Sequence, residues 1–225
     1  MPLDDPSPSR VLLDIAAALP PVERTYALAR FLILRMKLLA VMDLLLPAEG
    51  QLLDVGCGFG LFAAYFTAMH PTRRVIGVDP SSRRIELAQR VASRMEQSTR
   101  FLNGDIGEIE IPSPLEGIYV LDVLHHIARE HQRDVLRKLV DALAPGGVLV
   151  IKDITTEPAS GRRFTELLDR AVVGFDAPLA YRHHDEWRAM LIEMGLRVRV
   201  VRVPDVLPYP HVVLAATRAL DEHRA

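Results

Sequence analysis

The chain has 225 residues, 49% of them hydrophobic and 25% charged, with 27 Lys and Arg against 29 Asp and Glu for a formal charge of −2. That apolar fraction excludes a disordered chain, and the slightly acidic balance disfavours a nucleic-acid scaffold, so no nucleic-acid partner is expected. The length suits one domain, 1–225, with a substantial core.

The Arg pairs at 73–74, 83–84 and 162–163 lie among scattered Asp and Glu and read as solvated surface. The one cysteine, Cys57, rules out a disulfide framework and suits a reducing cytosol, so a cytoplasmic location is expected. The opening MPLDDPSPSR lacks the basic and apolar regions of a signal peptide. The most apolar stretch, 31–46, carries Arg35, Lys37 and Asp43. A spanning helix needs about 20 mostly uncharged residues, so no membrane span is expected.

In chain order, helices are predicted near 10–19 and 22–46. In the second, Arg35 falls within the stripe of Phe31, Met42 and Leu46, and charge is not gathered on one face. That pattern favours packing on the sheet or covering a pocket over lying on a membrane. From Gln51 onward, short apolar runs alternate with longer amphipathic ones. Strands are predicted at 51–55, 74–79, 100–103, 117–123 and 147–154, and helices near 60–69, 81–97 and 130–143. Pro71, Pro80 and Pro145-Gly146-Gly147 mark the joins. This alternation predicts a doubly wound parallel α/β sheet with helices on both faces. Further on, 159–173 and 184–194 read as helices and 174–183 as a loop. Strands at 196–203 and 210–217 are joined by PDVLPYP, short enough for an antiparallel hairpin.

The strongest local signal is an apolar strand running through Asp54 into Gly56, Cys57, Gly58, Phe59 and Gly60, where a helix begins. Glycine there permits positive φ and lets a ligand touch the backbone, and the helix beyond offers unpaired N–H groups. The dinucleotide fingerprint GxGxxG would need glycine at Leu61, and no phosphate P-loop sequence follows. The next strand ends at Asp79-Pro80, where a carboxylate suits the hydroxyls of a ribose, and Asp105-Ile106 follows the third strand. Any one of these acids could be turn chemistry. Three in succession line one edge of the sheet, where open α/β folds bind ligands.

These residues, DVGCGFG at 54–60, GVDP at 77–80, GD at 104–105, VLHHI at 123–127 and LAPGG at 143–147, resemble the class I S-adenosylmethionine-dependent methyltransferases. The resemblance implies a seven-stranded Rossmann-like sheet, parallel except for a C-terminal antiparallel hairpin strand, with S-adenosyl-L-methionine as cofactor. It implies the cofactor's methionine end over Asp54, Gly56 and Gly58, its ribose at Asp79 and its adenine at Asp105 and the backbone of Ile106. Cys57, Gly60, Pro80 and Asp122 complete the expected cofactor-binding set. The expected organisation of the single domain is a helical cap at 1–49, a cofactor-binding core at 50–154, an insert or lid at 155–185, and a late helix with hairpin at 186–225.

Methyl transfer from a sulfonium is an in-line displacement that needs a base only when the acceptor must lose a proton. His125 and His126 after the fourth strand, and Lys152 and Asp153 ending the fifth, are the candidate chemical groups, with His125, His126 and Asp153 as catalytic residues. Phe175, Tyr181 and His183 in the insert and Tyr209 in the hairpin loop are candidates to bind a small, apolar or aromatic acceptor. Neighbouring histidines point different ways, and the Asp-rich motif of catechol-type methyltransferases is missing, so no metal is expected. The rival readings are a nicotinamide-dependent oxidoreductase, disfavoured by Leu61 and the hairpin, and a non-catalytic cofactor-binding partner protein.

Overall fold

The structure, a computed structural model, describes residues 7–156, 166, 179–203 and 211–220. The helix expected over 159–173 lies outside them except for Glu166, as does the hairpin loop 204–210. The chain divides into two compact units between Ile109 and Glu110.

The first unit opens with α1 (Pro8–Ala17) and α2 (Pro21–Leu45), each begun by a proline whose missing N–H costs nothing at that position. Val11, Leu12, Ile15 and Ala16 form the buried stripe of α1. Arg24 of α2 closes the open end of α1, donating from Nε to the Ala16 carbonyl (3.2 Å) and from Nη2 to those of Ala17 and Leu19 (3.1 Å each). On α2, Leu34, Leu39 and Met42 are buried while Leu32 and Leu44 are exposed.

β1 (Gly50–Val55), α3 (Leu61–Met69), β2 (Arg73–Asp79), α4 (Ser82–Arg94) and β3 (Arg100–Asn103) follow. β1 and β2 pair in parallel from Gly50↔Arg73 to Val55↔Val78, and β2 and β3 from Ile76↔Arg100 to Asp79↔Asn103. The shared direction brings Val55, Asp79 and Asn103 to one edge. Arg73 departs from the surface role expected of the Arg pairs. Its guanidinium is buried because the ends of α2 and α3 leave carbonyls to satisfy. It donates to Asp43 O (3.1 Å), Leu46 O (3.4 Å), Pro47 O (2.7 Å) and Phe66 O (3.2 Å), and pairs with the Asp43 carboxylate at 2.5 Å.

The second unit contains β4 (Leu115–Leu121), α5 (Gln132–Ala142), β5 (Leu143–Ile154), α6 (His184–Glu193), β6 (Arg197–Arg202) and β7 (His211–Thr217). β4 stops two residues before the expected end. Asp122 adopts φ +54°, which breaks the strand, and a 3-10 turn, Leu124–His126, follows. β5 begins earlier than expected, pairing Leu115↔Leu143 before the register shifts to Gly117↔Val148. Pro145-Gly146-Gly147 is thus absorbed as an irregularity inside the strand, with Gly146 at φ +78°. β7 runs antiparallel to both β5 and β6. It is buried almost throughout, whereas β6 keeps Arg197, Arg199 and Arg202 exposed, as suits an edge strand.

The seven strands form one sheet in the order β3-β2-β1-β4-β5-β7-β6. Seven strands, parallel apart from β7, is the expected sheet.

Candidate functional site

In the first unit, the turn after β1 holds Gly56, Gly58 and Gly60 at φ +71°, +54° and +71°, conformations that side-chain-bearing residues avoid. Gly56 and Cys57 both donate their N–H to the Val78 carbonyl (2.8 and 3.0 Å), folding the turn over the tip of β2. Gly58 N donates to Asp79 Oδ2 (3.0 Å) and Ser81 N to Asp79 Oδ1 (2.9 Å), while Arg84 Nη1 stands 3.8 Å from Oδ2. Asp79 and Asp54 are both buried at strand tips. Among the described residues, a Cβ at Gly58 would meet nothing within 4 Å, so the backbone of the turn is uncovered there.

Cys57 packs beneath the turn. Burial, then the Asp54 and Asp79 carboxylates, push its thiol well up, which keeps it protonated. Pro80 lies at the exposed bend after Asp79. Asp105 is exposed, its Oδ1 accepting from Gly107 N (2.7 Å) in the local turn that such residues favour, and Ile106 is buried. The turn also has neighbours that composition and motif did not reveal. Tyr26 of α2 meets Phe59 edge-on at 5.5 Å, and Glu23 pairs with Arg83 at 2.8 Å.

In the second unit, the tip of β5 sends Lys152 and Asp153 to opposite faces, as successive strand residues must go. Lys152 Nζ pairs with the Asp122 carboxylate, and Asp122 N donates to the Lys152 carbonyl (2.9 Å). Asp153 Oδ1 accepts from His125 Nδ1 at 2.5 Å and from Ile154 N at 2.8 Å. Both side chains of this His–Asp pair are essentially fully buried. The Tyr181 ring stacks on that of His125, with centroids 4.9 Å apart and planes 23° apart, and the His126 ring lies tilted at 4.1 Å.

The structure therefore brings His125, Asp153, His126 and Tyr181 together. His183 does a different job. It is the N-cap of α6, its Nδ1 accepting from Asp185 N (3.3 Å) while Glu186 accepts from His183 N (3.2 Å). His183, His184 and Asp185 each present a donor atom within 4.8 Å of the others. Phe175 and Tyr209 lie outside the described residues.

Gln132 and Arg182, which are not among the expected site residues, fasten the Tyr181 segment to the turn bearing His125. A signal for Gln132 was present, since it falls on the buried stripe of α5 with Val135, Leu136, Leu139 and Val140.

The methyltransferase-domain family matches residues 52–147, from β1 into β5. The chain carries a methyltransferase domain at 52–147, similar in sequence and fold to S-adenosylmethionine-dependent methyltransferases. An uncharacterized methyltransferase of Mycobacterium bovis is 32% identical over 120 residues, covering 52% of this chain and 57% of the relative. An O-methyltransferase of Pyrenophora dematioidea is 27% identical over 169 residues, covering 71% of this chain and 59% of the relative. The chain thus spans under two thirds of the length of either. The crystal structure of the S-adenosylmethionine-dependent methyltransferase SibL shares the fold, with a TM-score of 0.69 and 24% identity over 96% of this chain and 64% of that one.

The methyltransferase residues fit the family's cofactor, S-adenosylmethionine. A buried carboxylate at the tip of β2 suits a diol, and the uncovered Gly58 backbone admits a ligand to close approach.

Proposed function

We propose that the chain transfers a methyl group from S-adenosylmethionine to a hydroxyl oxygen of a small, apolar or aromatic acceptor, with His125 as general base. The single observation carrying this reading is the buried His125–Asp153 pair under the Tyr181 ring. Asp54, Gly56 and Gly58 would hold the methionine end of the cofactor, Asp79 the ribose, and Asp105 with the Ile106 backbone the adenine. Cys57, Gly60 and Pro80 shape that turn, and Asp122 adds to the cofactor wall. When bound, S-adenosylmethionine would supply an activated methyl group on a sulfonium, so that a C–O bond to an ionised acceptor oxygen would form as the C–S bond breaks in line and neutral S-adenosylhomocysteine leaves.

The chain's own residues supply the ionisation. With Nδ1–H donated to Asp153, Nε2 carries the lone pair that takes the acceptor's proton. Asp153 holds the ring in that tautomer and stabilises the imidazolium that forms. Tyr181 offers a flat apolar face beside the base, which suits an aromatic acceptor. An oxygen acceptor is supported by the name of the Pyrenophora relative.

The test is the His125→Ala variant assayed with labelled cofactor on a panel of phenols. Turnover is expected to fall by about 10²–10⁴-fold, with affinity for S-adenosylhomocysteine by calorimetry unchanged. Unchanged turnover would remove His125 as the base, and equal losses in turnover and cofactor affinity would make it part of the cofactor wall.

A further inference from the structure

Gln132 is a fully buried amide at the start of α5, and among the described residues its side chain bonds to the turn bearing His125 and to the segment bearing Tyr181. Its Nε2 donates to the Leu124 carbonyl (3.0 Å) and the Ile127 carbonyl (3.1 Å), the two ends of the turn that presents His125 and His126. The same nitrogen donates to the Ala180 carbonyl (2.9 Å), and Ala180 N donates back to the His125 carbonyl (2.7 Å). Its Oε1 accepts from Arg182 Nε at 2.5 Å. Arg182 donates further to the Arg129 carbonyl (3.0 Å) and Glu186 Oε2 (2.9 Å), and its guanidinium lies 5.5 Å from the centre of the Trp187 ring.

We infer that Gln132, locked in orientation by Arg182, is a positioning residue that sets His125 between Asp153 and Tyr181. The inference rests on the proposed role of His125 as base. Its physical basis is donor count. An amide nitrogen offers two protons in one plane, and here they are spread over three carbonyls belonging to two segments far apart in the chain. Arg182 can only donate, so it fixes which end of the amide is oxygen and therefore points the nitrogen at the turn. Both segments are then tied to one rigid helix start. The His125 ring is constrained at Nδ1 by Asp153, on one face by Tyr181, and along its backbone by the neighbours of Gln132. A base and a reacting oxygen tolerate little misplacement, with about 1 Å able to cost a hundredfold.

The experiment compares Gln132→Glu with the unaltered chain. Glutamate keeps the size and the partner for Arg182 but removes both amide protons. The readout is the low-field proton NMR resonance of the His125–Asp153 hydrogen bond, assigned by its loss in His125→Ala. Gln132→Glu is expected to shift or broaden that resonance and to lower turnover by about tenfold to a hundredfold, with S-adenosylhomocysteine affinity held within about twofold. An unmoved resonance overturns the inference whatever the turnover does. If Gln132→Glu does not fold, Arg182→Gln carries the test, with a smaller shift and loss in the same direction expected and no change in either overturning it. Retained turnover in His125→Ala would sink the base itself, whereas an inactive His125→Ala beside an unmoved Gln132→Glu resonance sinks only the positioning role.

Discussion

Asp79 and Asp153 are each oriented by donors of the protein itself, and each stands at a strand tip with one task. Asp79 takes backbone N–H groups from Gly58 and Ser81, one on each oxygen, which fixes the plane of its carboxylate at the end of β2. If it also receives the ribose, Asp79→Ala is expected to weaken S-adenosylhomocysteine binding by about 1.5–3 kcal/mol, the scale of hydrogen bonds to a charged group. Calorimetry on the folded variant checks this, and an unchanged affinity removes Asp79 from the cofactor site. Asp153 takes His125 Nδ1 and Ile154 N on the same oxygen, so its geometry is set from the ring side and the strand side together. Its chain neighbour Lys152, on the opposite face of β5, is spent on Asp122. The carboxylate of Asp122 is therefore neutralised by a partner, in addition to any part it takes in the cofactor wall.

At the scale of elements, two helix ends illustrate how the chain satisfies carbonyls and N–H groups that a helix leaves open. Arg73 serves the C-terminal ends of α2 and α3 at once while pairing with Asp43, which also receives His70 Nε2 at 3.2 Å. Removing one partner of such a buried pair strands the other, so Arg73→Met is expected to lose about 3–5 kcal/mol of stability in urea unfolding. A loss under about 1 kcal/mol would place the pair among ordinary surface ion pairs.

The start of α6 is held by charge. Burial pushes the Glu186 carboxyl up, but the His183 N–H, Arg182 and Arg129 outweigh it and hold the group below its ordinary value. A depressed carboxyl contributes stability that is present above its unfolded pKa and lost as pH falls through the folded one. Docking of 179–183 on α6 is therefore expected to weaken as pH drops below the ordinary glutamate range, about 4.3. The single tryptophan, Trp187, sits beside Arg182 and reports this by fluorescence. The Glu186→Gln variant should flatten that part of the acid titration. The half-exposed carboxylate keeps the effect small.

Over the whole molecule, the residues assigned to the cofactor fall in the first unit, with Asp122 as the exception, and the His–Asp pair falls in the second. Strands β1, β2, β4 and β7 were legible because both of their faces are buried, which leaves near-continuous apolar runs. The glycine turn was legible because three positive φ angles in five residues admit almost nothing but glycine. What was not legible depends on partners distant in sequence. Arg73 looks like a surface arginine until the ends of α2 and α3 are placed around it. Asp122 reads as strand until its left-handed backbone is seen, and nothing in its local sequence forces that conformation. Pro145-Gly146-Gly147 reads as a stop, yet the pairing of Leu143 with Leu115 carries β5 through it. Of the site, the pairing of His125 with Asp153 was not visible, because 28 residues separate them and only the β4–β5 register brings them into contact.

The most direct measurement follows the methyl group itself, by 13C NMR after incubating the chain with methyl-13C S-adenosylmethionine and simple phenols. The unaltered chain is expected to give an aryl methyl ether signal that His125→Ala fails to produce. A signal of equal intensity from both, or label arriving only on nitrogen or carbon, would contradict base-assisted O-methylation.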